Sequence, residues 1–187
     1  MTIHPIHTGL EGIKHDWGWF FGLGLALIFL GAMSMLVPEV TTAFAVLFYG
    51  WILVFGGFFE AFGALFSRHW NGFFLHLFFG ILSVVIGGLI VFHPDLGALA
   101  LTMLLAAFFL ISGLFRIVAA VEIRLPGWGW SVVAGLLTAI LGILIWAKWP
   151  ITATWVIGML IGIELFFRGW VWLMFSLGLR RFTKAVT

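Results

Sequence analysis

Four charged side chains stand inside long apolar stretches of this sequence: Glu60, Arg116, Glu164 and Arg168. An ionised group inside a membrane span is costly and is by default a candidate for function. Glu164 and Arg168 are four residues apart, which places them on one face of a helix. The four charges sum to zero, as a mutually neutralising cluster requires. Two interpretations stay open: structural charges that pair or extend to the headgroups, and a pathway for protons or ions.

A second set of titratable residues surrounds two prolines. Glu39 follows Pro38, and His93 and Asp95 flank Pro94. Carboxylates and imidazoles in model peptides change charge between about pH 4 and pH 6.5, the range in which an acid sensor operates. Glu39, His93 and Asp95 therefore form a candidate pH-sensing turn. The alternative is local turn chemistry, in which each carboxylate stabilises the positive end of a helix dipole.

The remaining histidines and the absence of catalytic motifs argue against an enzyme or a metal centre. His76 lies in an apolar stretch, where a lone histidine usually forms an interfacial or helix-bridging hydrogen bond. The others lie in an N-terminal tail and a loop: His4, His7, His15 and His69. The sequence has no cysteine, no His-x-x-x-His pair, no nucleophile elbow and no phosphate-binding loop. It therefore predicts no enzyme activity, no cofactor and no metal.

The composition places these residues in a membrane protein. Of the 187 residues, 64% are hydrophobic and 9% are charged, whereas soluble domains carry about 25% charged residues. A chain of this length cannot bury so much apolar surface in one core, so the lipid bilayer is its predicted partner. The net charge of +2 is too small and too scattered to indicate nucleic-acid binding.

One sequence repeat occurs three times along the chain. Pro38, Pro94 and Pro150 are 56 residues apart, and each ends one apolar run and begins another. Six runs are long enough to cross the hydrocarbon core as helices, and their apolar residues are continuous rather than alternating. The runs lie near residues 17–37, 41–66, 72–92, 95–121, 128–147 and 150–177. The predicted fold is an all-α polytopic membrane protein whose six transmembrane helices form three repeated helical hairpins.

The domain organisation and the orientation follow from the same repeats. We expect a tail over 1–16, a transmembrane domain over 17–177 and a tail over 178–187. The repeats cover about 17–67, 70–121 and 128–177. Six basic residues fall on one side: Lys14, Arg68, Arg124, Arg180, Arg181 and Lys184. The proline turns carry Lys148 alone, so the positive-inside rule predicts cytoplasmic termini and outward-facing proline turns.

Pairs of small residues four positions apart indicate close helix packing. The strongest are Gly18-x-x-x-Gly22 and Gly158-x-x-x-Gly162. Weaker pairs are Gly135 with Ala139 and Ser83 with Gly87. They fit packing inside one bundle, with pseudo-threefold symmetry, or a homo-oligomer formed through glycine-rich helix faces. The sequence names no protein partner.

The repeated phrases resemble the HdeD family of acid-resistance membrane proteins. Each begins near tryptophan, carries glycine near its middle and ends on proline, as in "GLGLALIFLGAMSMLVP", "GILSVVIGGLIVFHP" and "GLLTAILGILIWAKWP". A second run closing on glycine follows each phrase, and the similarity covers about residues 15–177. The resemblance implies a bacterial inner-membrane protein with six transmembrane helices, linked to survival under acid stress. It transfers no catalytic or ligand-binding residue.

Two classes of function follow from these observations. The first is a non-enzymatic inner-membrane stress protein of the acid-resistance type. The second is a small transporter or a proton-conducting or ion-conducting pore that uses the intramembrane Glu/Arg set. A continuous polar cavity reaching both faces would favour the second class, and an apolar bundle with paired charges would favour the first.

Overall fold

The computed structural model describes residues 17–64, 70–124 and 126–185, and all regular structure in these ranges is helical. The helices are α1 (Trp17–Leu36), α2 (Pro38–Ala64), α3 (Trp70–Phe92), α4 (Pro94–Ile123), α5 (Trp128–Ala147), a 3₁₀ helix (Ile151–Thr154) and α6 (Val156–Ala185). Each α-helix is long and apolar enough to cross a membrane. The all-α class with six membrane-spanning helices is therefore confirmed.

Several residues named above fall outside this description. The 1–16 tail with Lys14 and its three histidines lies outside the described residues, as do Arg68 and His69. Arg180, Arg181 and Lys184 belong to α6, but their side chains are outside the described part. Helix α6 continues to Ala185, so most of the stretch assigned to a C-terminal tail is helical.

Prolines begin two helices as the sequence predicts. Pro38 is the first residue of α2 and Pro94 the first of α4. The missing N–H of proline costs little in the first turn, where backbone N–H groups have no partner inside the helix. Glu39 and Asp95 follow in the same first turns. Only one residue, Val37 or His93, separates these helices from the ones before them.

The third turn is longer than the other two. Pro150 does not begin a helix: it precedes the 3₁₀ segment, and α6 starts at Val156, six residues later than the sequence predicted. The packed glycine Gly142 lies 8 residues before Pro150, whereas Gly31 and Gly87 each lie 7 residues before their prolines. The extra residue has to be accommodated in the turn, and no acidic residue stands in the first turn that follows.

Two side-chain hydrogen bonds tie this third turn to α5 and α4. Thr152 Oγ1 donates to the carbonyl oxygen of Ile145 at 2.9 Å, and Trp149 Nε1 donates to that of Leu99 at 3.3 Å. The first bond ties the 3₁₀ segment to the end of α5, and the second ties the turn to α4.

The chain divides into two compact units. Residues Pro38–Gly158 form one of them, which contains α2 to α5, the 3₁₀ helix and the first turn of α6. Helix α1 and the remainder of α6 belong to the other.

Glycines pack α2 against α3 and α4 against α5. A Cβ atom built on Gly57 would lie 2.6 Å from the carbonyl oxygen of Gly80, and one built on Gly113 would lie 2.7 Å from that of Gly135. Real Cβ atoms essentially never approach below 3.0 Å. A second small pair follows seven residues along each helix, as in Gly87, whose Cβ would lie 2.7 Å from Gly50 O. Small residues thus let the helix backbones approach closely.

Helix α1 packs against α6 in the same way. A Cβ on Gly169 would lie 2.7 Å from the carbonyl oxygen of Gly24, and one on Gly31 would lie 2.8 Å from that of Gly162. The even-numbered helix of each repeat therefore uses one glycine interface: α2 with α3, α4 with α5 and α6 with α1. Each of these three glycine interfaces joins helices of two different repeats.

The predicted small-residue pairs divide into two groups. Gly158, Gly162, Gly135 and Gly87 all contact neighbouring helices and serve packing within the chain. Gly18 and Gly22 face open space, with no atom near enough to contact an added Cβ. A homo-oligomer through this second pair stays a prediction.

Burial is inverted relative to a soluble protein. The fully buried side chains are small or hydroxylated, the largest being Val46, Thr42, Thr102 and Ser176. Large apolar side chains such as Phe92 and Trp130 are exposed along the helices. Such a surface requires hydrocarbon as its solvent, which indicates a multi-pass membrane protein.

Candidate functional site at the proline-turn end

A cavity of about 390 Å³ opens at the turn end of the Pro38–Gly158 unit, where the proline turns lie. It is lined by the starts of α2 and α4 and by the 3₁₀ helix. The lining residues are Glu39, Thr42, Ala43, Pro94, Asp95, Ala98, Ala153 and Thr154. The cavity, called the turn pocket below, therefore brings together two carboxylates and two threonines.

The repeat explains why these residues meet. Glu39 and Asp95 each follow the proline that begins a helix, so they occupy equivalent positions in two first turns. The positive ends of two helix dipoles accordingly lie beside two exposed carboxylates. Thr42 and Thr154 likewise share one position, four residues after their prolines.

Thr42 connects the wall of the pocket to the beginning of α6. Its Oγ1 donates to the carbonyl oxygen of Pro38 at 2.9 Å and accepts the backbone N–H of Gly158 at 2.9 Å. A Cβ on Gly158 would lie only 2.0 Å from that same Pro38 oxygen. Only glycine fits here, and the hydroxyl satisfies an N–H that belongs to the first turn of α6.

One helical turn further in, the equivalent residues of the three repeats are all buried. They are Val46, Thr102 and Gly158, each eight residues after a proline. Thr102 is 0% exposed, and its hydroxyl has no hydrogen-bond partner within the described ranges. It lies one turn from the pocket-lining Ala98 on the same face, and helical Cβ atoms tilt towards the N-terminus, which here is the pocket.

His93 is separate from the pocket. It occupies the residue before α4 with φ −132°, makes no side-chain capping bond and does not line the cavity. Of the candidate pH-sensing turn, the structure thus brings together Glu39 and Asp95 but not His93.

Three of the four intramembrane charges have a partner within their own unit, and Arg116 lines a groove. In the larger unit, Glu60 Oε1 and His76 Nδ1 are 3.3 Å apart and join α2 to α3, which confirms His76 as a helix-bridging hydrogen bonder. In the other unit, Arg168 Nη2 donates to Glu164 Oε1 across one turn of α6. Convergence of all four charges stays a prediction.

Arg116 lines a groove of about 490 Å³ at the opposite end of α4 and α5, called the Arg116 groove below. The other lining residues are Ser112, Phe115, Ala119, Ala120, Ile123, Pro126, Trp128 and Ser131. They include no carboxylate. The salt bridges formed by the described side chains do not involve Arg116.

Sequence reasoning missed the link between Thr42 and Gly158. The available signal was positional: Thr42 shares its offset from proline with Thr154, and Gly158 shares its offset with Val46 and Thr102. Among the described residues, no group of three His, Asp or Glu side chains could hold a metal ion. The turn pocket offers two carboxylates and no third such ligand.

A family model described as a short repeat of unknown function, DUF308, matches residues 22–92 and again residues 78–147. The matches begin 56 residues apart, the spacing of the prolines, and together they cover well over half of the chain. The chain belongs to the DUF308 short-repeat family. Each match extends from an odd-numbered helix to the next one, so it contains one complete glycine interface. DUF308 is the family to which HdeD belongs.

No curated protein and no solved structure matches the chain. The family places the chain among repeat-built membrane-like helical proteins, and its description assigns no activity.

Proposed function

We propose that this DUF308 protein is a non-enzymatic bacterial inner-membrane stress protein that acts in acid resistance, as its resemblance to HdeD implies. The observation that carries the proposal is the turn pocket, in which two repeats contribute Glu39 and Asp95. With cytoplasmic termini, this pocket faces the external medium, where acid arrives first.

The pocket has a chemistry suited to sensing acid. Two exposed carboxylates counter the positive ends of α2 and α4. Protonation removes both negative charges, so the positive ends of α2 and α4 lose the electrostatic stabilisation that the carboxylates provide. The wall that changes charge carries Thr42, whose hydroxyl holds the first turn of α6 through Gly158. An acid-dependent change at the pocket therefore has a direct connection to a third helix.

Acid survival of cells that depend on this protein tests the proposal. The double variant Glu39→Gln with Asp95→Asn keeps the size of both side chains and removes both titrating groups. We expect it to lose acid protection while its amount in the membrane is unchanged. Glu122→Gln, a carboxylate at the other end of α4, is the matched control and should protect as the original chain does. Full protection by the double variant would contradict the proposal.

The alternative is a small transporter or a proton-conducting or ion-conducting pore that uses Glu60, Arg116, Glu164 and Arg168. The unpartnered hydroxyl of Thr102 one turn from the pocket favours this alternative, because a proton path needs polar groups that continue inwards. The pairing of Glu60 with His76 and of Glu164 with Arg168 favours a structural role. Proton flux into vesicles containing the purified protein, abolished by Thr102→Val, would establish the pore.

A further inference from the structure

The loop end of each glycine interface, opposite the proline turns, carries one equivalent pair of residues. On the even-numbered helices this residue lies three positions after the packed glycine nearest the loop end, which is Gly57, Gly113 or Gly169. On the partner helices it lies four positions before the corresponding glycine, which is Gly80, Gly135 or Gly24. In α2 and α3 the pair is Glu60 and His76, at 3.3 Å. In α6 and α1 it is Trp172 and Phe20, stacked with ring centroids 5.5 Å apart.

The α4–α5 interface differs from the other two. Its equivalent residues are Arg116 and Ser131, and both line the Arg116 groove. Serine is too short to fill the space that an imidazole or a phenyl ring fills elsewhere, and it supplies no charge. The interface is therefore open, with a volume of about 490 Å³ and one guanidinium on its wall.

The position of Arg116 along α4 shows which layer of the membrane lies beside the groove. The helix begins at Pro94 beside the charged Asp95, which belongs at one membrane interface. Arg116 lies 22 residues further on, or about 33 Å along the axis at 1.5 Å per residue. The hydrocarbon core is about 30 Å thick, so Arg116 lies at the level of the opposite headgroups.

We propose that the Arg116 groove binds an anionic phospholipid through its phosphate. Arg116 supplies the charge, since guanidinium donors match phosphate oxygens in geometry. The hydroxyls of Ser112 and Ser131 lie in the same groove, Trp128 stands where an interfacial indole belongs, and Phe115 and Ile123 offer apolar walls to the acyl chains. Basic pockets between transmembrane helices at the cytoplasmic side are suited to anionic headgroups. Glu122 is not among the lining residues.

Lipid retention by the full-length protein tests this assignment. The protein is placed in nanodiscs of phosphatidylcholine with a minor fraction of phosphatidylglycerol, released gently and weighed by native mass spectrometry. We expect the original chain to retain phosphatidylglycerol selectively. Arg116→Gln should lower this retention at least about tenfold, the factor that corresponds to the roughly 1.5 kcal/mol of one hydrogen bond between charged groups. Arg124→Gln, which removes an arginine at the same end but outside the groove, is the matched control.

Ser131→Glu provides a second variant that leaves Arg116 in place. It supplies an acidic partner from α5, as His76 supplies a partner for Glu60, and it should also expel phosphatidylglycerol. Equal retention by the original chain and Arg116→Gln would overturn the proposal, and if Arg116→Gln does not fold, the outcome for Ser131→Glu decides. Millimolar inorganic phosphate should leave the lipid bound. Displacement by phosphate would show a small-anion site and would overturn the lipid assignment.

Discussion

Gly158 donates its backbone N–H to the hydroxyl of Thr42 at 2.9 Å, across a sequence separation of 116 residues. The bond joins Thr42, four residues after Pro38 in α2, to the first turn of α6. It lies beside the turn pocket, because Thr42 also lines that cavity. The wall that carries Glu39 is therefore fixed to another helix by one buried hydroxyl and one glycine.

Gly158→Ala should strongly destabilise the protein. The added Cβ would lie 2.0 Å from the carbonyl oxygen of Pro38, a backbone atom that cannot rotate away. Overpacking of this kind typically costs about 1–3 kcal/mol or more. We expect a lower melting temperature and less folded protein after extraction. Gly56→Ala, where an added Cβ meets no atom, is the control and should melt at or above the original temperature. Equal melting temperatures of the two variants would show that close packing of Gly158 on Pro38 does not contribute to stability.

Thr42→Val should destabilise the protein without a steric clash, through the loss of the two hydrogen bonds that the Thr42 hydroxyl makes. Valine keeps the shape of threonine but leaves the Gly158 N–H without the hydroxyl that accepts it. A buried donor that loses its acceptor costs about 1–3 kcal/mol. Thr138→Val is the matched control, because the Thr138 hydroxyl bonds only to the carbonyl of Ala134 in its own helix. Chemical denaturation of the two variants in one detergent measures the difference, and equal midpoints would contradict the prediction.

The sequence alone predicts the helices and their boundaries well, for a physical reason. An apolar run of about 20 residues in lipid has no option but a helix, and proline marks where α2 and α4 begin. Packing partners are harder to predict, because every helix carries small residues seven positions apart and any two such faces match. The start of α6 was missed because Gly142 is one residue further from Pro150 than its equivalents are from theirs.

The candidate site was predicted in part for similar reasons. Glu39 and Asp95 each stand one residue after a repeat proline, so the sequence alone shows that they are equivalent. It does not show that they line the same pocket. His93 is close to Asp95 in sequence, but it precedes the first turn of α4 and does not line the pocket. Arg116 was recognised as a costly charge. Its groove depends on Ser131, an unremarkable residue until it is aligned with His76 and Phe20.

The predicted orientation can be tested with reporter fusions. A periplasmic reporter placed after residues 38, 94 or 150 should be active, because these turns carry few basic residues and are expected outside. A cytoplasmic reporter after residue 185 should be active as well. A cytoplasmic signal at any of the three turns would contradict this orientation and would remove external acid as the input to the turn pocket.

The pair formed by Glu164 and Arg168 should show strong non-additivity. Both side chains are more than half exposed along α6, in a segment apolar enough to span the membrane. Removing one partner leaves an uncompensated charge facing lipid, whereas removing both leaves none. We expect Arg168→Leu to lower the amount of inserted protein several-fold, and Glu164→Leu with Arg168→Leu to restore most of it.

The insertion yield of the two single variants and the double variant, measured in isolated membranes, forms a complete cycle. Arg116→Leu in the same assay is the control, because the salt bridges among the described side chains do not involve Arg116 and its removal leaves no partner charge uncompensated. A harmless Arg168→Leu would show that the guanidinium reaches the headgroups by itself. In that case Glu164 should tolerate replacement by glutamine equally well, and the pair would carry no structural role.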